Sequence, residues 1–123
     1  MLGNTVAITV NGSLKTMVLV NSDNYSAEYL LKEATEKWNF KVSHSTQSAD
    51  KSSGVVYERH NCTFVHTTYA VPGVSPEVRR QISATYVCKA GDETLELYIA
   101  NGLTTWLTAS SSAKTVAILA GES

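Results

Sequence analysis

The chain has 123 residues, 43% hydrophobic and 17% charged, an ordinary globular composition with room for one domain and a modest core. Ten Lys and Arg against eleven Asp and Glu give a formal net charge of −1, which excludes a nucleic-acid binder held by bulk charge, though not one whose few cations share a face. No stretch approaches the roughly 20 apolar residues that span a bilayer, and Met1-Leu2-Gly3-Asn4-Thr5 lacks the basic and apolar regions of a signal peptide, so synthesis and use in a cytosol, with no membrane partner, are expected.

In chain order, Thr5 to Val10 alternates Val6, Ile8 and Val10 with smaller or polar residues. Asn11-Gly12 is a strong two-residue hairpin signal, and Leu14 to Val20 supplies the returning strand. The turn Asn21-Ser22-Asp23-Asn24 breaks the pattern. Ala27 to Lys37 stays open between helix and strand: its Ala, Glu, Leu and Lys content favours helix, yet flanking strands can draw it into a sheet.

From Trp38 to Thr46 the alternation is plain, with Trp38, Phe40 and Val42 on one side and Asn39, Lys41, Ser43 and Ser45 on the other. Gln47 to Gly54 reads as a polar loop. The strand region Val55 to Tyr69 sets Val56, His60, Cys62 and Phe64 against Arg59, Asn61, Thr63 and Thr67. Val71-Pro72-Gly73-Val74-Ser75-Pro76 is too proline-rich for a central ladder. Val78 to Lys89 then divides Ile82, Ala84, Tyr86 and Cys88 from Arg79, Gln81, Ser83 and Thr85.

The tail changes period. Leu95, Ile99, Leu103, Trp106 and Leu107 recur at helical spacing, which predicts an amphipathic helix from Asp92 to Ala109. Asp92 is the expected N-cap, and Glu93 and Glu96 suit the positive end of the helix dipole. Ser110-Ser111-Ser112 interrupts the helix, and Ala113 to Ala120 reads as a second, short helix ending at Gly121. The fold class is therefore α+β in a single domain over 1–123: hairpin 1–21, sheet 27–90, helices 92–121. An apolar sheet face and an amphipathic helix must both be covered, leaving the opposite sheet face polar.

This order of elements resembles the coat proteins of single-stranded RNA bacteriophages (the levivirus type) over essentially the whole chain. Its most specific stretch runs from Thr85-Tyr86-Val87-Cys88-Lys89-Ala90-Gly91-Asp92 to Ser110-Ser111-Ser112-Ala113-Lys114-Thr115-Val116. The resemblance implies a capsid protein of the virion, assembled in the bacterial cytoplasm. It implies obligate homodimers whose two C-terminal helices pack across the partner's sheet, closing into an icosahedral shell. It also implies a maturation protein as companion. Dimerisation agrees with the physics, because a lone subunit would expose a long edge strand and an ill-covered apolar face.

The resemblance further implies that a genomic RNA hairpin binds the polar sheet face, for packaging and translational repression. By strand position the RNA-binding residues are Asn39, Lys41, Ser43 and Ser45, then Arg59, Asn61 and Thr63, then Arg79, Gln81, Ser83 and Thr85. Lys and Arg suit phosphates, while Asn, Gln, Ser and Thr can hydrogen-bond the edges of splayed bases. Among aromatics, Tyr57 at a strand end is the one candidate for base stacking on this parity. The Pro72 to Pro76 loop falls where the family's loops surround the shell's symmetry axes; a rigid turn is the equal alternative.

Other chemistries find little support. His60, Cys62, His66 and Cys88 share a parity, yet their spacing follows no zinc pattern and strand geometry holds residues 60 and 66 about 20 Å apart. Buried free thiols and structural histidines, His44 included, are expected, with no metal, no cofactor and no enzymatic site. The acceptor patterns at Asn11, Asn24 and Asn61 are chance matches without secretion. The alternative function is a small cytosolic α+β homodimeric ligand-binding or regulatory module.

Overall fold

The computed structural model describes residues 2–91 and 97–122. The chain divides into two compact units, Met1–Val87 and Cys88–Ser123. The first is built from strands β1 (Thr5–Val10), β2 (Ser13–Ser22), β3 (Ser26–Lys32), β4 (Glu36–Thr46) and β5 (Tyr57–Thr68), with β6 (Val78–Lys89) running to its end. They form one six-stranded sheet in the order β1-β2-β3-β4-β5-β6. The four pairings from β1 to β5 are antiparallel.

Asn11 and Gly12 take positive φ, 49° and 78°, as a two-residue turn matched to the strands' right-handed twist requires. Beyond the hairpin, β2 slips register between Leu19 and Asn21. The bulge leaves Val20 out of the ladder and exposed.

The open segment Ala27 to Lys37 resolves as strand. β3 ends at Lys32, a tight turn follows in which the Glu33 amide donates to the Glu36 carbonyl at 2.8 Å, and β4 begins. Burial overrides propensity here. Tyr29 is fully buried between its cross-strand partners Leu19 and Phe40, and its hydroxyl donates to the Gly3 carbonyl at 2.9 Å.

Met17, Tyr29 and Trp38 form the buried core. Val6, Ile8, Leu19, Leu31, Phe40 and Phe64 pack against it. Register explains the grouping: Val6 pairs with Met17, Leu31 with Trp38, and Phe40 with Phe64, so one apolar face runs from β1 to β5. Trp38 stacks on Phe64 and His66, with ring centroids 5.6 and 4.0 Å apart.

A charged cluster sits on that same face. The Lys15 ammonium lies 2.8 Å from Glu33, 3.9 Å from Glu36 and 5.4 Å from the Trp38 ring centroid. His66 Nε2 donates to Glu36 at 2.7 Å. This bond, with the charges of His66 and Lys15, holds the Glu36 carboxyl below its ordinary value of 4.5. A folded-state value below the unfolded one contributes stability that is present above about pH 4.5 and lost as pH falls through the folded value. Thermal melts of wild type and Glu36→Gln should therefore differ at pH 7 and draw together as pH falls below 4.5 through the folded-state value. A gap that stays constant as pH falls from 7 until the protein unfolds in acid would contradict the assignment.

In the second unit the described residues hold one helical element, α1 (Tyr98–Leu119), broken at the serine run that was expected to separate two helices. The serine run interrupts it where the sequence placed a break, and helical segments lie on either side. Ala109 turns extended (ψ 149°), and Ser110, Ser111 and Ser112 run left-handed at φ 52°, 56° and 64°. Each left-handed non-glycine residue costs about 1–2 kcal/mol. Across the break Thr115 Oγ1 donates to the Leu107 carbonyl at 2.8 Å, and the Lys114 ammonium lies 5.9 Å from the Trp106 ring centroid. The expected helix start, with Asp92, Glu93, Leu95 and Glu96, lies outside the described residues. None of α1's residues is buried. No described helix is long and apolar enough to cross a membrane.

Candidate nucleic-acid interface

The sheet face opposite the core is built by alternation. In the β4–β5 ladder Asn39 faces Val65, Lys41 faces Thr63, Ser43 faces Asn61 and Ser45 faces Arg59. Each of these follows or precedes a residue of the apolar face, so the strand pleat alone turns it to the other side. β6 joins through a hydrogen bond of 3.2 Å between the Thr63 and Ser83 hydroxyls. Along β6, Arg79 Nη2 donates to Gln81 Oε1 at 2.9 Å, and Gln81 Nε2 reaches Ser83 Oγ at 3.5 Å. A chain of polar contacts thus runs Arg79–Gln81–Ser83–Thr63 and fixes which way the Gln81 amide points.

Two depressions mark the face. The larger, of about 440 Å³, takes Asn39, Lys41, Thr63, Arg79 and Gln81 from the expected set. The smaller, of about 250 Å³, is lined by Ser43, Ser45, Arg59 and Asn61. Ten of the eleven expected residues are accounted for in these contacts. Thr85 lies on β6 at the same parity and lines neither depression.

The larger depression also holds residues that sequence reasoning missed: Lys37, Glu28 and Glu77, with the buried Val65 and Thr67. Period-two counting from Ser26 would have placed Glu28 on this face, had Ala27 to Lys37 been read as strand. Among the described residues Lys37, Lys41, Arg59 and Arg79 make no ion pair, so their charges are open to an anion. Asn61 Oδ1 is buried without a hydrogen-bond partner among the described residues. Such an acceptor costs about 1–3 kcal/mol until a donor reaches it.

The three histidines and Cys62 are kept on the other face. His60 lies opposite His44, their Nδ1 atoms 2.7 Å apart, while Cys62 lies opposite Val42 and His66 opposite Trp38. Among the described residues no group of three His, Cys, Asp or Glu is placed to hold a metal.

Residues 3–100 match the family model of the phage phiCb5 coat protein. The chain belongs to that family. It is a bacteriophage coat protein, a component of the virion capsid, which sets aside the regulatory-module alternative. No match was found among curated protein sequences. Solved structures share the coat protein's fold. It is similar to the virus-like particle of bacteriophage AVE019, with a TM-score of 0.63 at 13% identity over 94% of each chain. It is similar to the coat protein of bacteriophage EMS014, with a TM-score of 0.55 at 14% identity over 84% of this chain and 70% of that one. It is also similar to an unassembled virus coat protein dimer described as a bacteriophage RNA-binding dimer. There the TM-score is 0.55 at 17% identity, over 98% of this chain and 95% of that one.

Proposed function

We propose that this coat protein is the major capsid protein of a single-stranded RNA bacteriophage, acting as a homodimer that closes into an icosahedral shell. Its polar sheet face binds a hairpin of the genomic RNA, for packaging and for translational repression. The observation that carries this reading is the segregation of the sheet. Lys41, Arg59 and Arg79 share one face with Asn39, Asn61 and Gln81, while the Met17–Tyr29–Trp38 core and the histidines occupy the other. A similar structure is described as an RNA-binding dimer, and another as a virus-like particle.

Dimerisation answers two exposed features. β6 is a twelve-residue strand at the sheet's edge, and a second copy of it would pair the open backbone groups. Ile99, Leu103 and Trp106 of α1 are 64%, 58% and 47% exposed in one chain, and a partner's apolar sheet face is a fitting cover for them. In this reading the whole chain acts as one coat domain, the loop from Pro72 to Pro76 adjusts around the symmetry axes, a maturation protein completes the virion, and the chain carries no enzymatic activity.

Size-exclusion chromatography of the expressed protein tests the reading. The expected result is a megadalton particle with nucleic-acid absorbance. A dimer of about 27 kDa without RNA, two chains of 13.3 kDa each, would contradict it.

A further inference from the structure

An anion-binding face has no electrostatic use for carboxylates, yet two of them, Glu28 and Glu77, line the larger depression beside Lys37, Lys41 and Arg79. Glu28 lies directly across the ladder from Lys41 but makes no ion pair with it or with any other described residue. Instead its Oε1 accepts from Asn39 Nδ2 at 3.1 Å. That bond holds the half-buried carboxylate in place and leaves Oε2 and the remaining lone pairs of Oε1 unused. Charge neutralisation does not explain this arrangement. A carboxylate held by a neighbouring amide, in a depression of about 440 Å³, is built to accept hydrogen bonds from a ligand.

We infer that Glu28 reads a guanine base of the bound RNA, a reading that rests on the RNA function proposed above. Phosphates bring no donor to a carboxylate and a ribose 2′-OH brings one, whereas a base edge can bring two side by side, which is what two free carboxylate oxygens match. Guanine alone presents two adjacent donors on its Watson–Crick edge, N1–H and the N2 amine, spaced to meet the two oxygens of one carboxylate. Adenine and cytosine offer one amino group beside a ring-nitrogen acceptor, and uracil offers one N–H between two carbonyls, so each sets an acceptor against the negative charge. Single-stranded loops expose this edge, and their reading by side chains is the usual source of RNA sequence preference. Lys37, Lys41 and Arg79 then hold the flanking phosphates, while Asn39 acts as a positioning residue for Glu28.

The test uses the purified coat protein and three RNA hairpins with one stem and a uridine loop, differing at one loop position that carries guanosine, inosine or adenosine. Inosine keeps N1–H and lacks the N2 amine. Wild type should bind the guanosine loop at least about tenfold tighter than the adenosine loop at matched salt, with inosine between them. Glu28→Gln, which keeps an acceptor for Asn39 and places an amide N–H where guanine brings its own donors, should lose that preference. Glu28→Asp, drawn back by one methylene, should reduce it, and unchanged thermal midpoints would show both variants folded. If Glu28→Gln tightens all three loops equally and keeps the guanosine preference, the carboxylate acts only as a charge and the inference fails. A wild type that binds all three loops alike also overturns it, with the RNA reading intact. A wild type that binds none of them overturns both.

Discussion

Trp38→Ala is expected to lower the free energy of unfolding by about 3–5 kcal/mol. The indole is 6% exposed at the centre of the apolar face, between cross-strand partners Leu31 and His66. Its ring stacks on His66 at 4.0 Å and on Phe64 at 5.6 Å, and the Lys15 ammonium lies over it. Removing it opens a cavity against three strands at once, where collapse is hindered by the ladder. Its Nε1 has no hydrogen-bond partner among the described residues, so the loss is one of packing rather than of a polar contact. Against a typical total of about 5–15 kcal/mol, this is a large fraction. Urea denaturation followed by circular dichroism measures it as a shift in midpoint at unchanged slope. A loss below about 1 kcal/mol would show that the indole is not the core's centre.

Lys41→Ala combined with Arg59→Ala is expected to weaken binding of RNA hairpins by at least about tenfold at physiological salt while leaving the dimer intact. Lys41 sits in the larger depression and Arg59 in the smaller, and both side chains are exposed and unpaired by carboxylates. Two subunits on one RNA would lose four cations. Each phosphate contact to a single strand adds about 0.7 to the slope of log affinity against log salt, so the slope should fall by about three. Unchanged affinity and slope at matched salt would remove this face from the RNA site.

Much of the fold was legible because its signals are local. Asn11-Gly12 names its own turn, and the alternation from Trp38 to Thr46 and from Arg59 to Phe64 places each residue on the face the register later assigns. The polar set from Asn39 to Ser83 was legible for the same reason. Ala27 to Lys37 was not, since its composition argues for helix and what decides it is the burial of Tyr29 against strands on either side. Glu28 and Lys37 were lost from the site with it. The Lys15–Glu33–Glu36–His66 cluster could not be read either, because it joins positions far apart in the chain that only the ladder brings together. The break at the three serines was legible too, since their backbone leaves the helical region there, though the Thr115 to Leu107 hydrogen bond that ties the two sides together was not.

The strand order has a consequence for synthesis on the ribosome. Each strand bonds to its sequence neighbours, and the widest interval between partners is the stretch from Gln47 to Val56. Loop-closure entropy is therefore small at every step, and contact order stays low for a protein built mostly of strands. Each strand leaving the exit tunnel meets a partner already in place, so the layer can zip up in order of translation. Apolar side chains then spend little time uncovered in a crowded, virus-producing cell.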